Sequence, residues 1–492
     1  MKLDKLIYES EIEIPKKYAG REVSYITTDP KSSTKEALLF VLTGRDIDVL
    51  DNNKSNFLVA VFDKNVSIPK KLSGRDNVFK YESARSLLAY ACFRESEINL
   101  SRTKFIGITG TNGKSSTATL IKEILSYSGI RVGFIGTGRI ECNGTVISDS
   151  NYSMTTPDPW ILYPAIRKMQ DAECGVIVME VSSHSLALDK LAPISFEYGI
   201  FTNLSSEHID FHKSINEYFE AKLKLFKKCN NAFFNLDDYY GRVAYKDFKK
   251  RKVGVGILWQ GDVWATGIQN HGFDGTEYMY RERTFLFKMR LSLAGIHNIY
   301  NSLFAAAVCI DMGIKPCDVK QALSAVALLP GRFEIIRNNV TVIIDYAHTP
   351  AAFEALLKEI RRAKLPSERL WTVFGCGGER DREKRPRFAN VAEALADEII
   401  ITEDNTRSEP AEQIISDITR GFKTARYEVI RNRTEAIKRA IINADDGDII
   451  AIVGKGSEKY NIDSEGYHAF DERALIDEAL LCRSVESYEN KA

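Results

Sequence analysis

The sequence has no excess charge of either sign: 67 Lys and Arg residues stand against 67 Asp and Glu. A general electrostatic pull toward nucleic acid or an acidic membrane surface is therefore excluded, and any anionic ligand must be held by local sites. The eight cysteines (Cys92, Cys142, Cys174, Cys229, Cys309, Cys317, Cys376 and Cys482) form no CxxC pair and no Cys/His spacing suited to zinc. They read as buried free thiols in a reducing compartment. No uninterrupted apolar run nears the ~20 residues that span a bilayer. The opening MKLDKLIYESEIEIPKK has no apolar secretory core. The expectation is a cytoplasmic protein with no membrane insertion. Internal repeats and low-complexity tracts are also missing.

What remains is an ordinary globular composition, 44% hydrophobic and 27% charged. A length of 492 residues suggests about three domains. The first ~100 residues hold short strand-like runs, Val23 to Thr27, Leu38 to Leu42 and Phe57 to Phe62, then a helix-like stretch from Tyr81 to Phe93. At Lys104 the pattern changes. Apolar FIGIT enters a Gly-rich turn, an amphipathic stretch runs from Ser116 to Tyr127, and Gly129 stops it. RVGFIG, GVIVMEV and YGIFTNL follow. A second block begins after Pro330-Gly331-Arg332: VTVIIDYAH, a helix from Pro350 to Ala363, LWTVFGC, a helix near Asn390 to Ala396, EIIITED and DIIAIVGKG. Alternating strands and helices predict parallel sheets covered on both faces. The fold class expected is α/β in three domains: 1–102, a central P-loop parallel-sheet domain over 103–333, and a Rossmann-like domain over 334–492.

Residues Gly107 to Ser116, GITGTNGKSS, lie between a strand and a helix, the setting of a phosphate-binding loop. Glycines let backbone N–H groups approach phosphate oxygens, and the helix N-terminus adds partial positive charge. Lys114 suits the β/γ-phosphates, and Ser115 or Ser116 offers a hydroxyl to Mg²⁺. The spacing departs from GxxxxGK[ST], because Ile108 stands where the first glycine is expected.

The same segment resembles the GxTGTNGK[TS][TS] loop of the Mur ligase family, which joins amino acids or peptides to UDP-N-acetylmuramic acid precursors. Further similar motifs follow in the family's order: TTPDP from Thr155, EVSSHSL from Glu180, TNLSSEHIDFH from Thr202, EAK ending at Lys222, HNIYN from His297, PGRFE from Pro330, DYAHTP from Asp345, GCGGERDREKRP from Gly375, DNTR from Asp404 and GKGSE from Gly454. Together they cover roughly residues 104 to 473, and their order is far more specific than any one of them.

The resemblance implies ATP bound by Gly110, Thr111, Asn112, Gly113, Lys114, Ser115 and Ser116, with Asn298, Arg332 and Asp345 on the adenine and ribose side. Arg332 falls at a domain joint whose closure would complete the site. Mg²⁺ would be held by Ser115, Glu180 and His208, and by Lys222 once CO₂ converts it to a carbamate. Without the resemblance, Lys222 in EYFEAKLKLFKK reads as a solvated helix-face lysine; His184 and His212 read as structural. Thr155, Thr156, Ser182 and Lys190 would hold the muramoyl dipeptide. Arg380, Asp404, Asn405, Arg407, Gly454 and Glu458 would hold the incoming amino acid.

In the family the selector reads DNPR where the amino acid is meso-diaminopimelate, so the resemblance implies that Arg407 favours it, its guanidinium pairing bidentately with the distal carboxylate. L-Lysine and lanthionine are the other diamino acids in view. Three departures stand out: Thr406 replaces the proline of DNPR, Ser457 the histidine of GKGHE, and Lys190 the arginine after EVSSHSL. Asp29-Pro30-Lys31 is the sole trace of a uridine motif in the UDP-sugar-binding N-terminal domain.

The implied reaction uses UDP-MurNAc-L-Ala-D-Glu, ATP and a diamino acid, passes through an acyl phosphate, and proceeds in a monomer. The alternatives are an L-lysine-adding ligase, a folylpolyglutamate synthase or cyanophycin-type ligase with another acceptor, a non-catalytic relative, and a P-loop hydrolase or kinase.

Overall fold

The computed structural model describes residues 1–492 except 9–11, 45–46, 48–49, 51–55, 148–153, 206, 425 and 490–492. Ser206 of TNLSSEHIDFH thus lies outside the described residues. The chain forms two compact units. The first comprises Met1–Ala118, Leu125–Leu204 and Ser214–Val253, and the second Thr119–Ile124, Ser205–Lys213 and Gly254–Ala492. Among the described residues no helix is long and apolar enough to cross a membrane.

The first unit opens with four parallel strands in sequential order, β1 (Tyr25–Thr27), β2 (Ala37–Val41), β3 (Val59–Asp63) and β4 (Val78–Tyr81). In β2, Leu38 and Phe40 enter a core shared with helix Ala84–Glu95, while Leu39 and Val41 join Phe57, Phe62 and Leu72 on the other face. Burial on both faces explains why ALLFV is apolar throughout rather than alternating. Tyr81 ends a strand and the helix starts at Ala84, so the expected helix from Tyr81 begins three residues late. Glu82 and Ser83 form the turn between the two.

The same unit carries β5 (Lys104–Thr109), β6 (Val132–Gly136), β7 (Arg139–Cys142), β8 (Thr145–Val146), β9 (Val176–Glu180), β10 (Phe196–Phe201) and β11 (Cys229–Asn235), in the order β11-β10-β5-β9-β6-β7-β8. The strands from β11 to β6 are parallel, and β7 and β8 add an antiparallel edge. Ile108 pairs with Glu180 and Thr109 with Phe201, so the chain leaves β5, β9 and β10 at one edge, in step. Open α/β sheets bind ligands at such carboxyl ends.

In the second unit, β12 (Arg251–Gly256, whose final three residues belong here) pairs parallel with β13 (Val263–Asn270), and β14 (Thr276–Glu282) and β15 (Leu286–Leu291) continue as an antiparallel meander. The sequence reading assigned no antiparallel strands there. Their burial alternates imperfectly, with many half-exposed polar positions, so periodicity gave a weak signal.

A six-stranded sheet follows: β16 (Glu334–Arg337), β17 (Thr341–Asp345), β18 (Leu370–Phe374), β19 (Glu398–Ile401), β20 (Glu428–Val429) and β21 (Ile449–Val453), ordered β16-β17-β21-β18-β19-β20 and parallel apart from β16. Ile449, Ala451 and Val453 face helices Pro350–Ala363 and Arg385–Leu395, whereas Ile450 and Ile452 face helices Arg433–Asn443 and Glu472–Glu489. The second helix begins at Arg385, earlier than Asn390, because Pro386 occupies the first turn, where its missing N–H is harmless. A short hairpin, β22 (Tyr460–Asp463) with β23 (Gly466–Ala469), follows β21. Cys317 and Cys482 are exposed, against the expectation of buried thiols; the other six are buried.

Candidate functional site

In the first unit the turn after β5 runs Gly110 to Gly113 into helix Lys114–Tyr127. Gly110 (φ +148°) admits no side chain, since a Cβ would lie 1.9 Å from Thr202 Oγ1. Gly113 has φ +85°, left-handed backbone that suits glycine. The turn is braced from β10's end: Asn203 accepts from Asn112 N (2.9 Å) and donates to Asn112 O (3.0 Å), and Thr202 Oγ1 donates to the same carbonyl (2.6 Å). Lys114 Nζ folds back onto the carbonyls of Gly110 (3.0 Å) and Thr111 (2.8 Å).

Lys222 is buried, and its Nζ donates to Gly110 O at 2.9 Å and sits 4.3 Å from the Tyr218 ring centroid. Its helix, Ile215–Lys227, is capped by Ser214 and buries Tyr218, Phe219, Ala221, Leu225 and Phe226 with it. The spacing of that stripe turns Lys222 inward while Lys224 stays half-exposed, which overturns the solvated-face reading of this lysine. Two ammonium groups thus share one loop carbonyl.

Glu180, at the end of β9, is buried. Ser115 Oγ donates to its Oε2 at 2.8 Å, and Thr137 N donates to its Oε1 at 3.1 Å. Thr156 Oγ1 donates to Glu180 O (2.9 Å) and accepts from Ser182 N (3.0 Å), which ties TTPDP to EVSSHSL. Thr155 Oγ1 accepts from Thr137 Oγ1 at 3.1 Å. Ser182 caps the short helix Ser183–Ala187. Lys190 is buried in an ion pair with Asp158 Oδ1 at 2.7 Å.

Carboxylate and hydroxyl oxygens are the donors a hard cation takes. Among the described residues no three His, Cys, Asp or Glu side chains converge. The Ser115 hydroxyl and the Glu180 carboxylate, 2.8 Å apart, are oxygen donors of the kind that would hold Mg²⁺.

The second unit holds the other candidates. His208 has φ +56° at the start of helix Ile209–His212, with its Nε2 3.8 Å from Glu207 Oε1. His348 Nε2 bonds that same Glu207 oxygen at 2.6 Å, and its Nδ1 bonds Tyr346 O at 3.1 Å. Asn298, buried in helix Ile296–Asp311, donates to Ala294 O (2.8 Å). Asp345, at the end of β17, accepts from Phe333 N (2.7 Å) and Ala347 N (2.8 Å). Burial raises its carboxyl above the usual range, and Arg332 opposes that. The Arg332 guanidinium lies 4.1 Å from the Tyr346 ring centroid. Gly331 (φ +63°) is needed because a Cβ would lie 2.1 Å from Ser457 N. PGRFE and GKGSE therefore touch through their backbones.

At the carboxyl ends of β18, β19 and β21 the amino-acid candidates converge. Lys455, with a fully buried side chain, donates to Asn405 Oδ1 (2.8 Å) and Tyr460 O (2.9 Å) and lies 3.7 Å from Asp404. Ile462 N also donates to Asn405 Oδ1 (2.9 Å), so the Asn405 amide nitrogen must face Glu458, where it donates to Oε2 at 2.9 Å. A Cβ at Gly454 would lie 2.6 Å from Asp404 Oδ2.

Burial would raise the Asp404 carboxyl, but Lys455 and Arg433 hold it below its ordinary value. Burial, then Asp404, raises Glu458. Arg407 Nη1 donates to Gly378 O (2.9 Å) and Asn405 O (3.2 Å); burial, then the neighbouring Arg380, lowers its pKa. Beneath this layer the fully buried Arg385 bonds both Glu409 oxygens at 2.8 Å and Asp417 at 2.9 Å.

Tyr218, Thr137, Asn203 and Asp158 around the loop, and Tyr346, Lys455 and Arg385 in the second unit, escaped the sequence reading. Asp158, Asn203, Tyr346 and Lys455 sit inside motifs that were singled out, so a residue-by-residue reading of TTPDP, TNL, DYAHTP and GKGSE could have found them. Tyr218 is one turn before Lys222 on the buried stripe. Arg385 likewise sits inside GCGGERDREKRP, and Thr137 gave no local signal.

A phosphate loop on a central parallel strand, followed by a Rossmann-like sheet with a charged site at its strand ends, defines an ATP-using α/β enzyme of modular build. Residues 108–309 match the Mur ligase middle domain, and residues 331–456 match the Mur ligase glutamate ligase domain. The chain belongs to the Mur ligase family. It is 36% identical over 492 residues to a UDP-N-acetylmuramoyl-L-alanyl-D-glutamate–2,6-diaminopimelate ligase of Clostridium acetobutylicum, spanning 98% of this chain and 99% of the relative. The Clostridium tetani enzyme of the same name is 33% identical, again across 98% and 99%. A solved structure of a ligase of that name superposes with a TM-score of 0.67 at 25% identity, covering 98% of this chain and 99% of the other.

Proposed function

We propose that the protein joins meso-diaminopimelate to the D-Glu γ-carboxylate of UDP-MurNAc-L-Ala-D-Glu, with ATP as the energy source. It is an ATP-dependent ligase of peptidoglycan precursor synthesis. The observation that carries the choice of amino acid is that Arg380 and Arg407 both flank Gly377, with Asn405 and Glu458 hydrogen-bonded to one another close by, so that cations and a carboxylate are offered together. A diamino dicarboxylate offers a partner to both, and L-lysine lacks the distal carboxylate.

In this reading the γ-carboxylate attacks the γ-phosphate in line, giving an acyl phosphate and ADP. Lys114 leaves the loop carbonyls for the phosphate oxygens and, with the loop amides, stabilises the spreading charge. Ser115 and Glu180, with His208 and a carbamylated Lys222, would hold Mg²⁺, which would supply charge neutralisation at the phosphates. Gly110 to Ser116 cradle the phosphates, and Asn298, Arg332 and Asp345 hold the nucleoside. Thr155, Thr156, Ser182 and Lys190 hold the dipeptide. Asp404, Asn405, Arg407, Arg380, Gly454 and Glu458 present the amine, which displaces phosphate from the acyl carbon. Alignment of the three substrates lowers the barrier by several kcal/mol.

We assign UDP-sugar binding to residues 1–102, ATP binding to 103–333 and amino-acid binding to 334–492, in a cytoplasmic monomer. The test is phosphate release from ATP with UDP-MurNAc-dipeptide against a panel of amino acids. Release with meso-diaminopimelate supports the reading. Release with L-lysine alone overturns the arginine assignment, and release without any amino acid marks a hydrolase.

A further inference from the structure

Tyr346 lies between the two groups of candidates in the second unit. It follows Asp345 directly and carries the Arg332 guanidinium over its ring at 4.1 Å. Its hydroxyl donates to Glu458 Oε1 at 3.3 Å, 112 residues along the chain. The other Glu458 oxygen takes Asn405 Nδ2. The carboxylate is thus clamped by one donor per oxygen, which fixes its plane and leaves lone pairs for an ammonium. Room for the ring is made by Gly456 (φ +56°), where a Cβ would sit 2.9 Å from Tyr346 Cβ. A cation above the ring and a hydrogen bond at its far end give one side chain two separable contacts, one on the nucleotide side and one on the amino-acid side.

We propose that Tyr346 is a positioning residue for amino-acid selection: its hydroxyl orients Glu458 toward the substrate ammonium, and its ring independently seats Arg332 against the nucleotide. The proposal rests on the ligase reading above. Its distinctive consequence is that the two contacts separate by chemistry. Tyr346→Phe keeps the ring and deletes the donor, whereas Tyr346→Leu deletes both.

The experiment measures phosphate release by the full-length enzyme with saturating UDP-MurNAc-dipeptide, varying ATP and meso-diaminopimelate in turn, with thermal melting of each variant. Tyr346→Phe is expected to raise the diaminopimelate KM about tenfold, as loss of a hydrogen bond to a charged group does, and to hold the ATP KM within about twofold. Tyr346→Leu is expected to raise both. A purely structural role would move both KM values together in the Phe variant, or neither while the melting temperature falls, and either result overturns the proposal. A wild type that releases phosphate without needing an amino acid sinks the ligase reading and this inference with it. An active, amino-acid-dependent wild type whose Tyr346→Phe variant keeps its diaminopimelate KM sinks the inference alone.

Discussion

The phosphate-loop cluster of the first unit and the charged cluster of the second solve opposite problems. Around the loop, the cations lean on backbone: Lys114 and Lys222 both donate to Gly110 O, and Glu180 is met by Ser115 and Thr137. Each of these contacts has one charged partner and one neutral one, so an opposite charge brought by phosphate or metal can replace the neutral partner with a stronger one. In the second unit, charge meets charge. Lys455 lies against Asp404, Arg385 is bidentate to Glu409, and Arg433 pairs with Glu472 Oε2 at 2.7 Å. Such buried pairs are costly to break. In the proposed reading the first cluster would yield to the nucleotide phosphates, and the second would hold one geometry for the incoming amino acid.

The comparison breaks first at Lys222. Lys222→Ala is expected to lose activity on the order of 10³-fold, with partial recovery in short carboxylic acids, measured as phosphate release. Full activity without additive rejects the carbamate assignment. The second unit is tested by Arg385→Met, which strands Glu409 and Asp417 and should cost about 3 kcal/mol or more in denaturant unfolding.

Hydrogen bonding to Arg385 holds the Glu409 carboxyl at about 2, against an ordinary 4.5. A depressed carboxyl contributes stability above the ordinary value and loses it as pH falls through the folded one. Wild type should therefore weaken between about pH 4.5 and 2, and the variant should lack that part of the slope.

A smaller effect, about thirtyfold in the diaminopimelate KM with the ATP KM unchanged, is expected for Arg407→Lys, because lysine cannot make the planar fork. Equal changes in both would show that the two clusters are not separable. The mildest is a pH effect. Burial raises Glu458, so the diaminopimelate KM should climb as pH falls at a higher pH than an ordinary glutamate would give. Glu458→Gln should remove that dependence at a uniformly high KM; a pH profile unchanged in this variant would rule Glu458 out as the titrating group.

Much of this was legible in the chain. The α/β class, the strand ends at Glu180 and Asp345, the helix read from Ser116 to Tyr127 (which begins two residues earlier, at Lys114), the helix Pro350–Ala363, and the turn between β5 and its helix all follow from spacing within a dozen residues. The motif order carried the family. The β13–β15 meander was missed because its alternation is blurred by half-exposed polar residues.

By itself, the sequence determined which segments turn, which strands are apolar on both faces, and which motifs bear charge, because these depend on local sterics and side-chain periodicity. Only the tertiary structure decided that Lys222 reaches Gly110 O across 112 residues, that Lys455 fixes the sense of the Asn405 amide, and that Tyr346 touches Glu458. Those contacts depend on the order in which strands join a sheet, and β21, last in the chain, lies between β17 and β18. No local spacing encodes that insertion; it comes from burying both faces of the sheet at once.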